Sequence, residues 1–299
     1  MLSSELRQQG YTYGEVVRLI RSGDLTRIRR GAYSDVAELD PLLRHRRLVR
    51  ATLAQTTTRS IVSHHSAAVL HGLPIVSSDL SRVDLTRPQR GGGKVRPQVH
   101  LHVAKMTDRE LCMIDEFTVT SLARTVVDLA LVLDHALAVA IGDAALHRGL
   151  GLGELEESLR LSRGRRGHPA ARRVVSFLDA RSESVGESRS RVLLAAAGLP
   201  KPDLQYEVRD LRGALMGRAD FCWEAHRTLG EFDGKIKYGD LLRSGQHPSD
   251  VLFREKRRED ALRDLGWQVV RWTWDDLASP GRLADRIRRA FDRAGGEVR

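Results

Sequence analysis

Asp220, Glu231, Asp233 and the lysines that follow them have the spacing that metal-assisted hydrolysis needs. Asp220 lies near the end of one strand-like run, in Gly217-Arg-Ala-Asp-Phe-Cys-Trp223, and the next run ends in Glu231-Phe-Asp233-Gly-Lys235-Ile-Lys237. Two adjacent strand ends would bring these carboxylates close together. Like charges so placed repel unless a cation lies between them, and Mg²⁺ or Mn²⁺ held by one or two carboxylates keeps waters for a substrate phosphate. A lysine beside such an ion stabilises extra negative charge on phosphorus or helps to deprotonate the attacking water. Gly234 breaks the strand, so Lys235 and Lys237 both stand as candidates for that role.

A second group of ligand-type residues carries the opposite expectation. His64 and His65 point to different faces of any regular element, no cysteine accompanies them, and His100 and His102 lie on one side of an edge-like strand. No metal site is expected from these four. Gly91-Gly-Gly-Lys94 lacks the spacing and trailing Ser/Thr of a phosphate loop and reads as a flexible hairpin tip, with Arg87, Arg90 and Lys94 available for DNA. Cys112 and Cys222 form no C-x-x-C pair, which excludes a zinc ribbon and a disulfide framework.

The elements that must position these residues follow from capping and periodicity. Thr12-Tyr-Gly-Glu15 is a capping box that opens a helix with Val16, Val17, Leu19 and Ile20 on its apolar stripe. Leu25 to Tyr33 alternates apolar and basic residues around Gly31, as a two-stranded wing would. A helix from Asp40 to Thr56, a short strand at Ile61 leading into a helix closed by Gly72, strands at 81–86, 98–103 and 115–120, and a long helical stretch from Ser121 to His147 follow. The basic segment Ser162-Arg-Gly-Arg-Arg-Gly-His-Pro169 reads as a linker or an exposed helix-helix turn, and the main boundary is expected there. Beyond it the order is α-β-β-β-α-β: a helix over 184–197, strands at 204–208, 215–223 and 228–233, a charged helix over 251–265 and a strand at 267–272.

These residues resemble two families. Asp220, Glu231 and Lys235 or Lys237 look like the D…(D/E)-x-K signature of restriction-endonuclease-like, or PD-(D/E)XK, nucleases. The stretch from Glu187 to Leu277, with Glu255-Lys-Arg-Arg-Glu-Asp260 and Leu265-Gly-Trp267, is similar to DUF559 domains related to very-short-patch-repair endonucleases. That resemblance implies metal ligation by Asp220 and Glu231 and an auxiliary acid in Glu187. Alanine stands before Asp220 where the family name has proline, and Lys235-Ile-Lys237 replaces a histidine frequent after the turn. At the front, Thr12 to Tyr33 with Arg29-Arg-Gly-Ala-Tyr33, and His64 to Gly72, resemble AbiEi antitoxins and related transcriptional regulators. In such a winged helix-turn-helix, Tyr13 to Ser22 would face the major groove and Arg27, Arg29 and Arg30 would hold the backbone. The expected organisation is a winged helix-turn-helix over 1–35, a small α/β module over 36–165 and a nuclease-like core over 166–299.

The chain's 299 residues suit more than one core, and its formal net charge of +10 favours a phosphate-rich partner, DNA. The run from Glu255 to Asp260 reads as a solvated helix face, with Lys256 and Arg258 the candidates for DNA phosphate. No apolar run approaches a membrane span, and a cytoplasmic setting is expected. Two functions fit: a Mg²⁺- or Mn²⁺-dependent DNA endonuclease, or a non-enzymatic repressor or antitoxin with a relict nuclease fold and a cognate toxin as partner.

Overall fold

The N-terminal helices of the computed structural model are capped as their sequences dictate. Helix α1 spans Ser3–Gln8, and α2 spans Tyr13–Ser22. Thr12 accepts the Glu15 N–H at 3.3 Å while the Glu15 carboxylate accepts the Thr12 N–H at 2.8 Å. Strands β1 (Thr26–Arg29) and β2 (Ala32–Ser34) form an antiparallel hairpin. Gly31 turns it at a φ of 78°, a left-handed conformation natural to glycine. Leu6, Val16 and Leu25 close a small core beneath.

The described residues are all but 36–39, 57–59, 76–79, 89–91, 211, 235–259 and 297–299. They divide into two units, Met1–Leu133 with Leu150–Val175 and Asp134–Gly149 with Ser176–Arg299. Both are built of helices and sheets, so the chain is a mixed α/β protein. No helix among the described residues is long and apolar enough to cross a membrane.

The first unit continues with α3 (Pro41–Leu53), capped by Asp40, and with a six-stranded mixed sheet. Its strands are β3 (Ile61–Val62), β4 (Val83–Arg87), β5 (Lys94–Arg96), β6 (Val99–Val103), β7 (Leu111–Ile114) and β8 (Phe117–Thr120), in the order β5-β6-β4-β3-β8-β7. Helices α4 (His64–Leu70) and α5 (Leu122–Ala130) follow β3 and β8. Val49, Val62, Val83 and Val119 are wholly buried. Three sequence expectations change here. The turn between β5 and β6 falls at Pro97-Gln98, so Gly92 and Gly93 precede the hairpin and are not its tip. Strand β6 has β4 on one side and β5 on the other, so it is no edge. The long helix expected from Ser121 to His147 is two, because the Asp134 side chain accepts the Leu137 N–H at 3.0 Å and starts α6 (His135–His147) afresh. That break carries the chain from one unit to the other. Helices α7 (Leu152–Leu161) and α8 (His168–Val175) then return to the first unit, and the basic segment, expected as a linker or a helix-helix turn, is the turn between them and not the boundary between units.

In the second unit α6 is joined by α9 (Val185–Ala196) and four strands. They are β9 (Asp203–Arg209), β10 (Leu215–Trp223), β11 (Thr228–Phe232) and β12 (Gln268–Trp272), in the order β12-β11-β10-β9. Strands β9, β10 and β11 are antiparallel neighbours, whereas β11 and β12 run parallel. A parallel pair requires a crossover. The helix expected over 251–265 lies mostly outside the described residues. Helices α10 (Trp274–Leu277) and α11 (Pro280–Gly296) close the chain. Phe221, Trp272 and Ile287 fill the core between sheet and helices, and the Trp272 indole N–H donates to Ser190 Oγ at 2.8 Å. Gly230 leaves room for that ring, since a Cβ there would lie 2.5 Å from it.

Candidate functional site

Register places Gln205, Asp220, Glu231 and Arg271 in one row across the four-stranded sheet. Gln205 and Asp220 fall between the pairs Tyr206↔Ala219 and Leu204↔Phe221. Asp220 and Glu231 follow the pair Phe221↔Gly230, and Glu231 pairs directly with Arg271. The regular alternation of side chains breaks at this row. Leu204 and Phe221 enter one apolar cluster while Tyr206 and Ala219 enter another. Gln205 has a φ of 54°, a conformation that costs a residue with a side chain on the order of 1–3 kcal/mol.

Glu187 reaches the row from the first turn of α9. Ser184 caps that turn by accepting the Glu187 N–H at 3.1 Å. The Glu187 carboxylate is buried and accepts from Gln205 Nε2 and from the Glu183 N–H, each at 2.9 Å. Gln205 Oε1 is buried with no hydrogen-bond partner, a costly state for an amide oxygen. Asp220 Oδ2 accepts the Phe232 N–H at 2.8 Å. Burial, reinforced by the charges of Glu187 and Glu231, nevertheless pushes the Asp220 carboxyl up to about 6. Arg271 Nε lies 2.7 Å from Glu231 Oε2. The row and Glu187 together bring three acids into a partly desolvated place, and their oxygen donors and excess negative charge fit a hard divalent cation.

The other residues singled out by sequence are distributed unevenly around this site. Asp233 is exposed just past β11, where its N–H donates to the Trp272 carbonyl at 2.8 Å. Lys235, Lys237, Lys256 and Arg258 lie outside the described residues. In the N-terminal hairpin Arg27 and Arg30 are exposed and, with Arg21 and Tyr13, line a groove of about 500 Å³ beside α2. Arg29 instead turns inward and donates to Thr52 Oγ1 on α3, with its Nε buried and unpartnered. Gln205 and Arg271 were not anticipated as site residues; their place in the row depends on strand register, which local sequence does not display.

The histidines expected to lie apart converge in the first unit. Strands β4 and β6 pair in parallel with Asp84 opposite His100 and Thr86 opposite His102. His102 Nε2 lies 2.8 Å and His100 Nδ1 3.3 Å from Asp84 Oδ1, while His65 Nδ1 is 3.3 Å from Oδ2. His64 and His65 do not diverge, because His64 has a φ of 48° and turns the chain out of β3, so that its ring stacks on His102 at 3.7 Å. Asp84, His100 and His102 are, among the described residues, the one group of three whose ligand atoms all lie within 4.8 Å of one another. The motif His100-Leu-His102 beside an acidic strand residue was the available signal.

Deeper polar contacts fix this cluster. Ser66 Oγ accepts the Asp84 N–H at 2.8 Å and shares a hydrogen bond with His45 Nε2. Burial alone would raise the Asp84 carboxyl, but hydrogen bonds from His102 and His65 outweigh it and hold the group well below the usual carboxylate range. Burial pushes the His64 imidazole down to about 4, so it is neutral at physiological pH. Behind His64, Asp128 is wholly buried and paired with Arg124 and Arg165.

No family model matches the chain. It is similar to two Mycobacterium tuberculosis proteins, "Uncharacterized protein MT2308" of strain CDC 1551 / Oshkosh and "Uncharacterized protein Rv2248" of strain ATCC 25618 / H37Rv. Each is 37% identical over 205 residues, covering 68% of this chain and 72% of the relative.

Proposed function

The chain belongs to the family of these mycobacterial proteins, and we propose that it is a DNA-binding protein whose second unit hydrolyses phosphodiester bonds with a divalent cation. The observation that carries this reading is the row Gln205–Asp220–Glu231 with Glu187 beside it, an acidic line across a sheet in which Asp220 is held uncharged up to about pH 6. Bound Mg²⁺ or Mn²⁺ would supply a Lewis acid and an activated water. Asp220 and Glu231 would hold the ion, with Glu187 of α9 and Gln205 of β9 orienting the site. Arg271, paired to Glu231, fixes that carboxylate and adds a positive charge near the strand end that phosphate would approach. Lys235 and Lys237 remain the proposed general-base or charge-stabilising residues. On this reading the second unit is a restriction-endonuclease-like core of the DUF559 type. The first unit carries an AbiEi-like winged helix that meets DNA through the exposed Arg27 and Arg30.

Purified protein incubated with supercoiled plasmid, linear duplex and single-stranded DNA in Mg²⁺ or Mn²⁺ is expected to cut at least one of them. Asp220→Ala and Glu231→Ala should each abolish the cutting. Cleavage that survives both substitutions overturns the assignment. One observation favours the second reading, a non-enzymatic repressor or antitoxin: the Arg271 guanidinium already neutralises Glu231. No cutting on any substrate, together with tight, salt-sensitive binding to one promoter, is the result that reading expects.

A further inference from the structure

We propose that Asp84, His100 and His102 form a binding site for a divalent transition-metal ion of the zinc class, built into the first unit and independent of the carboxylate row. The donor set is two imidazoles and one carboxylate, a combination suited to zinc and its neighbours and ill suited to Mg²⁺. The spacing agrees. Tetrahedral zinc with bonds of about 2.0–2.1 Å separates its ligand atoms by roughly 3.3 Å, and Asp84 Oδ1 stands 2.8 Å from His102 Nε2 and 3.3 Å from His100 Nδ1.

The site is also pre-organised, which distinguishes it from a chance meeting of surface histidines. Both imidazoles stand two residues apart on β6, and the ladder to β4 sets them against Asp84. The second carboxylate oxygen is taken by His65, the Asp84 N–H by Ser66, and Ser66 by His45, so each shell orients the one inside it. His64, held at its left-handed φ of 48°, packs its ring flat against His102 and limits that side chain's rotation. Three protein ligands leave a fourth position. The His100 side chain is 44% exposed, so that position opens to solvent and would carry water or an oxygen or nitrogen atom of a small ligand.

The test uses tag-free, full-length protein stripped with a chelator and titrated with Co²⁺, a zinc substitute with a visible d–d absorption. One equivalent of Co²⁺ per chain should give a band that Zn²⁺ displaces. His100→Ala and His102→Ala should each weaken Co²⁺ affinity by at least the roughly tenfold to hundredfold that loss of even an outer-shell partner costs. The double variant Asp220→Ala/Glu231→Ala should leave the band unchanged, which separates this site from the proposed nuclease centre. His100, the more exposed ligand, provides the informative variant if His102→Ala fails to fold, with circular dichroism as the check. No Co²⁺ band in the wild-type protein, or an undiminished Co²⁺ affinity in His100→Ala, overturns the proposal.

Discussion

Asp220 makes the second unit sensitive to pH in a defined direction. In the metal-free protein its carboxyl ionises near 6 rather than at the ordinary 3.8. Between those values the folded chain binds more protons than the unfolded one, so stability falls as pH rises, and the penalty is complete above about 6. In a fully buried site the cost would be about 3 kcal/mol, and solvent screening of the partly exposed Asp220 lowers it to about 2 kcal/mol. Asp220→Asn keeps an acceptor for the Phe232 N–H and removes the charge. In chelator, the variant should melt higher than wild type at neutral pH and close to it at about pH 4. It should also lose the rise in Tm that Mg²⁺ or Mn²⁺ gives the wild-type chain. A lower Tm at neutral pH would refute the proposed cost. The adjacency of Asp220 and Glu231 was legible in the sequence because a single hairpin separates them, and chain-local signals suffice for a hairpin. Gln205 was not, because nothing in Leu204-Gln-Tyr-Glu-Val208 announces a residue with positive φ. The meeting of His64 and His65 with His100 and His102 was not legible because it depends on the parallel pairing of β4 with β6 and on the left-handed turn at His64.

Helix α9 is positioned by the contact of Gly186 with Phe232. A Cβ on Gly186 would lie 1.8 Å from the Phe232 ring, which itself packs edge-on against Trp274 at 5.0 Å. No side chain of an alanine fits without moving α9 from β11, and these elements carry Glu187 and Glu231. Gly186→Ala is therefore expected to lower stability by about 1–3 kcal/mol and to reduce metal-dependent cleavage by more than the loss of folded protein explains. Gly153 in α7 has nothing within 4 Å of its Cβ position, and Gly153→Ala should instead raise stability by roughly 0.5–1 kcal/mol. Equal effects on Tm from the two substitutions would remove the packing argument. At this scale short strand-like runs located β9, β10 and β11 closely, whether or not their residues alternate. The apolar run after Ser121 hid a helix boundary, because alanine and leucine propagate a helix pattern across a break that Asp134 alone signals by capping. Conspicuous glycines likewise drew the hairpin tip away from Pro97-Gln98.

The two units are interleaved along the chain. Helix α6 is read out before α7 and α8, yet it belongs with the residues after Ser176. Its Asp143 is wholly buried, accepts the Asp179 N–H at 2.8 Å and pairs with Arg191 of α9 at 2.6 Å. Arg191 also donates to the Phe177 carbonyl, and its guanidinium lies over the Phe177 ring. A fragment of residues 176–299 would leave Arg191 without its counter-charge, a deficit of about 3–5 kcal/mol for a buried pair, and would expose Leu178, which packs on Gly142. That fragment is expected to show no cooperative melt, and Asp143→Ala in the full chain should destabilise the second unit by a similar amount. A fragment that melts cooperatively, at the temperature of the intact chain, would refute this. The basic stretch at 162–169 has the composition of a linker, but no local signal tells which sheet a helix will join. For inheritance the interleaving has its own consequence. A single recombination breakpoint between residues 150 and 175 would part the first unit from its own C-terminal helices, and one between 134 and 149 would split α6 itself or its neighbours from their partners. A single exchange in this stretch that separated the acidic row from the histidine cluster would therefore leave at least one unit without helices of its own.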